Sequence, residues 1–173
     1  MNGALEDCEE APSFSWGRLT NLTRFIYTQL MGVMFLICQI LLFALLFLLS
    51  NLFTALTAPF PVCLILYGVV VGALGLLTMD RRSYSPLPKP RKHNVLVRRG
   101  IYRILRHPMY AGLLSIGLAF MLSRFAPLSA ILYAAFAVIT NLKANLEEKL
   151  MSEKHPEYST YRQKTKKYIP LVY

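Results

Sequence analysis

The chain has 173 residues, 55% of them hydrophobic, with a formal net charge of +10. That length allows one domain, and a mean hydropathy of +0.42 is high for a soluble protein of this size, which leaves a soluble helical bundle as the minor alternative to a membrane protein. The basic excess invites a nucleic-acid reading, but no base-reading element accompanies it, so the charge is read as a topology signal and an attraction to anionic lipid.

The first sixteen residues, MNGALEDCEEAPSFSW, are acidic. They lack the basic start of a signal peptide, and the apolar block that follows is too long for a signal core. From Phe25 to Met79 there is no Lys, Arg, Asp or Glu. A helix of about 20 apolar residues spans a bilayer core, so the block predicts two spans, at about 30–50 and 59–79. Gln39 is the one strongly polar side chain between Leu30 and Leu49. Pro59 and Pro61 mark the second entry, where a missing N–H costs little. Cys8, Cys38 and Cys63 have no metal-ligand spacing, and no metal site is expected.

Residues 80–106 then carry nine Lys or Arg, while the turn at 51–58 carries none. By the positive-inside rule the 80–107 loop and both termini share the cytoplasm-like side. Within this loop, residues 85–94 are Pro-rich and predict an extended segment. Gly100 can supply a turn. IYRILR (101–106) predicts a short interfacial helix, with Ile101, Leu105 and Ile104 toward lipid and Tyr102, Arg103 and Arg106 toward water. His107 precedes Pro108 and is therefore biased away from helix, while Pro108 suits the first turn of the next one.

Two further uncharged stretches, 109–123 and 125–142, are separated by Arg124 alone and predict the third and fourth spans. The first of these is short and must tilt or start below the membrane surface. Glu147 and Glu148 follow on the basic side. Adjacent residues on a helix point about 100° apart, so one pocket takes both carboxylates only if it wraps the helix end. Local pairing of Glu147 with Lys143, or of Glu148 with Ser152, is the plainer alternative. Pro156 predicts a break, after which a short amphipathic segment restarts with Tyr158 and Tyr161 on one face. The expected fold is thus all-α: a single integral-membrane unit over 1–173 with about four transmembrane helices, interfacial helices and a C-terminal amphipathic segment.

The stretches GIYRILRHPMYAG (100–112) and NLEEKLMSEKHPEYSTYRQKTKKYIP (145–170), in this order around a membrane hairpin, resemble the isoprenylcysteine carboxyl methyltransferase family and the related phospholipid methyltransferases. The matching positions are Gly100, Tyr102, Arg106, His107, Pro108, Tyr110, Gly112, Glu147, Glu148, Leu150, Tyr158, Tyr161, Ile169 and Pro170. The tract EKHPEY (153–158) departs from many relatives, which have Phe-Gly before the tyrosine. The resemblance implies an S-adenosylmethionine-dependent enzyme without a Rossmann domain, acting on a lipophilic acceptor at the membrane surface: a prenylcysteine, a lipid, or a small lipophilic acid or thiol. It implies cofactor contacts from His107, Pro108, Tyr110, Gly112 and Glu147, with Gly112 leaving room for close approach. It gives Arg106 and Glu148 catalytic roles, Arg106 as a grip on an acceptor carboxylate. Phospholipid N-methylation, a membrane reductase with a related R-H-x-x-Y element, and a non-enzymatic membrane protein on the same scaffold are the competing readings.

Overall fold

A computed structural model describes residues 16–79 and 96–170. Helix α1 (Trp16–Leu49) is followed by the short α2 (Leu52–Thr57) and by α3 (Pro59–Thr78). A 3₁₀ turn (Gly100–Arg103) leads into α4 (Pro108–Ser123), α5 (Pro127–Lys154) and α6 (Tyr158–Lys164). The protein is all-α. Prolines begin α3, α4 and α5, where the absent donor would have had no partner anyway. Asn51 caps α2 by accepting from the Thr54 amide at 3.1 Å.

Among the described residues, three helices are long and apolar enough to cross a membrane: Ile26–Leu49 within α1, Pro59–Thr78, and Pro127–Lys154. The third expected span, α4, has 16 residues. At 1.5 Å per residue it is about 24 Å long, short of a hydrocarbon core of about 30 Å. It nevertheless lies against α3 for most of that helix. Gly75 faces Pro108 at one end, Gly68 faces Gly112 and Ile116, and Ser115 donates to the Leu64 carbonyl. Helix α5 has 28 residues, and its uncharged part closes at Leu142. The remainder, with Lys143, Glu147 and Glu148, leads toward the polar end of the bundle.

The helices pair antiparallel, α3 with α4 and α1 with α5. In the second pair Gln39 meets Thr140 and Lys143, while Phe43 meets Phe136. Between the pairs Phe43 and Phe47 pack on Phe120, and Phe136 and Leu46 are fully enclosed. Outward positions are apolar and bare: Leu77 is 82% and Phe53 76% exposed. With backbone groups satisfied inside helices, such a surface suits lipid. The antiparallel order brings the start of α4, the end of α5 and the start of α1 to one end of the bundle. Residues 1–15 and 80–95, which carry part of the expected charge asymmetry and the Pro-rich segment, lie outside the described residues.

Contact between α3 and α4 depends on missing side chains. A Cβ at Gly112 would stand 2.5 Å from the Gly68 carbonyl oxygen and 3.1 Å from the Gly72 nitrogen, and one at Gly68 would stand 2.6 Å from the Gly112 carbonyl oxygen. Small residues of this kind let membrane helices approach backbone to backbone.

The interfacial helix expected over 101–106 is a single 3₁₀ turn followed by a non-helical turn and bend. Its exposure pattern differs at two positions: Tyr102 and Leu105, expected outside, are buried, while Ile104 is exposed as expected. A three-residue period and a following non-helical turn place side chains on other faces than a 3.6-residue period would. Gly100 has φ 56°, and a Cβ there would meet Thr78 Cγ2 at 2.7 Å, so both conformation and contact require glycine.

Candidate functional site

Residues 104–107 do not stand alone at the bundle end. The segment after α6 runs beside them as a one-bridge parallel ladder between Leu105 and Lys166. The Arg106 amide donates to the Lys166 carbonyl at 2.8 Å, the His107 amide to the Lys167 carbonyl at 3.2 Å, and the Lys166 amide to the Ile104 carbonyl at 2.9 Å. This strap is pinned in turn to α5: Lys167 Nζ donates to Asn141 Oδ1 at 2.5 Å and to Asn145 Oδ1 at 2.6 Å. Burial lowers the Lys167 pKa, opposed by the nearby Glu148 charge. Tyr161, buried on the inner face of α6, donates its hydroxyl to the Tyr102 carbonyl at 2.7 Å. Burial pushes that phenol up to about 12 against the pull of Arg106 and Arg98, so it remains a donor across the working pH range.

The strap and α5 converge on Arg106 and His107. Arg106 Nε donates to Glu148 Oε1 at 2.9 Å, and its Nη1 donates to the carbonyls of Thr165 and of Arg162, the latter at 3.1 Å. His107 Nε2 lies 3.1 Å from the same Glu148 oxygen. A carboxylate only accepts, so Nε2 carries the proton in this contact. Nδ1 of the same ring is 3.9 Å from Glu147 Oε2. Glu147 Oε1 accepts from the Tyr110 hydroxyl at 2.5 Å, and the Tyr110 ring stacks on His107 with 5.5 Å between centroids and 13° between planes.

The single imidazole thus resolves the question of the two adjacent carboxylates. One ring nitrogen faces each, so both carboxylates meet around this ring although they point apart on the helix. Glu148 has an 8% exposed side chain and Glu147 a 24% exposed one. Lys143 approaches Glu147 electrostatically, but its close partners are others. Ser152 donates to the backbone carbonyl of Glu148 and leaves the carboxylate to the site.

Two expected roles change. Arg106 was expected to face an external carboxylate; the carboxylate it grips is that of Glu148, with two strap carbonyls taking its other donors. Gly112, expected to make room for a cofactor, turns its bare Cα toward the α3 backbone. Pro108 is fully buried and its ring faces Gly75.

Beside this cluster a cleft of about 480 Å³ is lined by Asn145, Glu148, Lys149, Ser152, Glu153 and Arg162. Its size is that of ligand clefts generally. Arg162 Nε stands 3.7 Å from Glu148 Oε2, so Glu148 joins the cleft to the His107 cluster. The Tyr102 hydroxyl is buried and has no hydrogen-bond partner among the described residues. Burial raises its pKa, with the charges of Tyr161 and Glu147 adding to the effect.

Sequence reading missed Lys167, Asn141, Asn145 and Thr165. A usable signal existed for the asparagines: residues four apart on a helix share a face, and 141 and 145 stand where α5 leaves its apolar block.

A helical membrane bundle with paired glutamates, histidine and tyrosine gathered at its polar end is the class that fold and site define. The chain belongs to the phospholipid methyltransferase family, which it matches over residues 60–158. Among curated relatives, it is 29% identical over 168 residues to the cobalt-zinc-cadmium resistance protein CzcN of Cupriavidus metallidurans, covering 96% of this chain and 75% of that protein. It is 33% identical over 124 residues to protein-S-isoprenylcysteine O-methyltransferase B of Arabidopsis thaliana, covering 65% of this chain and 59% of the relative. It is 31% identical over 108 residues to the nickel-cobalt-cadmium resistance protein NccN of Alcaligenes xylosoxydans xylosoxydans, covering 59% and 49%. The chain therefore spans three quarters of the first relative's length and less than two thirds of the other two. No solved structure matches it.

Proposed function

We propose that this chain is a single methyltransferase unit that moves a methyl group from S-adenosylmethionine to a lipophilic acceptor at the membrane surface. The observation that carries the reading is the His107 ring held between Glu147 and Glu148 beside the cleft. The residues present suit the cofactor. Its sulfonium and amino groups are cationic and call for carboxylates and an aromatic face, which Glu147, Glu148 and Tyr110 offer. Its carboxylate calls for a cation, and Lys149 and Arg162 line the cleft beside Glu148. In this reading His107, Pro108, Tyr110 and Glu147 form the cofactor wall, and Gly112 acts by setting the α3–α4 distance. Arg106 and Glu148 position that wall.

When bound, S-adenosylmethionine supplies an electrophilic methyl group and leaves as a neutral thioether. The protein's contribution is alignment in a dry setting. An anionic acceptor and a sulfonium lose charge together on the way to the transition state, so exclusion of water favours that state over the separated ions. An oxygen or sulfur nucleophile fits best, and the Arabidopsis relative's name supports a prenylcysteine carboxylate. Phospholipid amine methylation is the second reading, favoured by the two carboxylates, which attract an ammonium headgroup. The family assignment supports methyl transfer over nicotinamide-dependent reduction.

The test uses purified protein and titrates S-adenosylhomocysteine and NADPH in parallel. Binding of the first alone is expected; binding of NADPH alone refutes the proposal. Incubating membranes with labelled S-adenosylmethionine, then sorting label into base-labile ester, lipid headgroup and volatile fractions, separates the acceptor classes.

A further inference from the structure

Gln39 is the one strongly polar side chain between Leu30 and Leu49, and the site described above makes no use of it. It is 3% exposed, as is Lys143 on α5, and Thr140 is fully buried. Gln39 Nε2 donates to Thr140 Oγ1 at 3.2 Å, and Gln39 Oε1 accepts from Lys143 Nζ at 3.3 Å. An ammonium has only donors, so the amide oxygen must face it and the amide nitrogen must face Thr140. The same ammonium stands 5.3 Å from the centroid of the Tyr110 ring. Polar groups inside a membrane bundle are costly and serve either helix pairing or function.

The place of Lys143 on α5 decides between the two. Lys143 and Glu147 are four residues apart and share a face of the helix, and a lysine stem is long and flexible enough to close the ion pair. Opposite charges attract more strongly where water is scarce. Yet among the described residues that pair is not formed. The Glu147 carboxylate accepts from the Tyr110 hydroxyl at 2.5 Å and faces His107 Nδ1 at 3.9 Å, while Lys143 attracts it from farther off. The acceptor that holds the ammonium back belongs to another helix, α1, and is the Gln39 oxygen.

We infer that Gln39 is a positioning residue of the site: it diverts Lys143 from Glu147 and so leaves the Glu147 carboxylate to Tyr110 and His107. The inference deepens the methyl-transfer reading and rests on it where the cofactor is concerned, because that reading makes Glu147 a cofactor contact. Without the Gln39 oxygen the Lys143 stem turns along α5 and its Nζ closes on Glu147. The carboxylate is then drawn from the Tyr110 hydroxyl, and the ring that stacks on His107 loses its tether. Helix α1 lends no side chain to the cleft, and this one hydrogen bond couples it to the site.

The test asks whether Gln39 matters only while Lys143 is present. Purified full-length protein, Gln39→Leu, Gln39→Glu, Lys143→Met and the Gln39→Leu/Lys143→Met double variant are titrated with S-adenosylhomocysteine. Each is also labelled with carbon-13 at tyrosine Cζ. The Tyr110 resonance, assigned by its loss in Tyr110→Phe, reports the hydrogen bond to Glu147 without any cofactor. Gln39→Leu is expected to weaken S-adenosylhomocysteine binding about tenfold and to shift the Tyr110 resonance. In the Lys143→Met background the same substitution is expected to do neither, so that Lys143→Met and the double variant agree in both readouts. Gln39→Glu holds the ammonium more firmly and is expected to bind at least as tightly as the unsubstituted protein, which keeps the test decisive should Gln39→Leu fail to fold. The inference is overturned if Gln39→Leu matches the unsubstituted protein in both readouts, or if Gln39→Glu loses affinity. It is also overturned if Gln39→Leu acts equally with and without Lys143, which would make Gln39 a packing contact between α1 and α5. A Lys143-dependent shift of Tyr110 with S-adenosylhomocysteine unbound or unaffected supports the positioning role and refutes the assignment of Glu147 to the cofactor.

Discussion

Gly112→Ala separates two tasks for one residue, packing and cofactor access. The added Cβ would lie 2.5 Å from the Gly68 carbonyl oxygen and 3.1 Å from the Gly72 nitrogen. Ordinary C···O contacts are about 3.3–3.6 Å, so the helices must separate by roughly 0.8 Å. Both obstacles are backbone atoms and cannot rotate aside. Overpacking costs about 1–3 kcal/mol, and the upper half of that range is expected here. Gly68→Ala strikes the same contact from the other side, with its Cβ 2.6 Å from the Gly112 carbonyl oxygen. Once one alanine has moved the helices apart the second costs less, so the pair should fall short of additivity by about 1 kcal/mol or more. SDS titration in mixed micelles, followed by circular dichroism, measures all four corners of the cycle. Strict additivity would refute the shared contact. So would a Gly112→Ala protein as stable as the parent but tenfold weaker for S-adenosylhomocysteine, since that outcome assigns the glycine to cofactor access alone.

Glu148→Gln removes the charge that Arg106 and His107 share at 2.9 and 3.1 Å. It should weaken S-adenosylhomocysteine binding by tenfold or more, about 1.4 kcal/mol per tenfold, by calorimetry; unchanged affinity would place the cofactor elsewhere. Tyr161→Phe leaves the Tyr102 carbonyl without its donor and should cost about 1–2 kcal/mol in the same SDS titration. Lys167→Met frees the strap from Asn141 and Asn145, so limited trypsin digestion should cut between 162 and 167 faster than in the parent. Single cysteines at Thr57 and Ser159 should label from opposite faces of oriented vesicles, and labelling from one face would refute the expected topology.

The membrane helices were legible because an uncharged block can hardly be anything else, and prolines at 59 and 108 fixed two starts. The inward face of α6 was legible in the i, i+3 spacing of Tyr158 and Tyr161. What escaped depends on distance along the chain or on short-range ambiguity. Six residues, IYRILR, are too few to separate a three-residue period from a 3.6-residue one, and the pairing that settles the matter comes from Lys166. Arg106 showed itself as an anion grip, but the nearest acid to it in space is 42 positions away. Lys143 was visible only as a neighbour of Glu147, because its hydrogen-bond partner Gln39 is 104 positions away on another helix. Glycine at 112 signalled close approach, but the approaching body, a helix or a ligand, is not encoded locally.

The parallel bridge between the RHP turn and the strap has a consequence for how the protein is made. Arg106 and Thr165 are 59 positions apart. At translation rates of about 5–20 residues per second, Arg106 leaves the ribosome roughly 3–12 s before its carbonyl partners do. Through that interval every span can enter the bilayer and pair and Glu148 can reach Arg106, yet the guanidinium's Nη1, the Arg106 and His107 amides and the Tyr102 carbonyl wait with water or headgroups in place of their native partners. Insertion and site assembly are therefore separate events in time. A nascent bundle is an embedded intermediate without the strap, and a ribosome stalled short of residue 165 leaves a chain in which Arg106 lacks its Thr165 carbonyl partner.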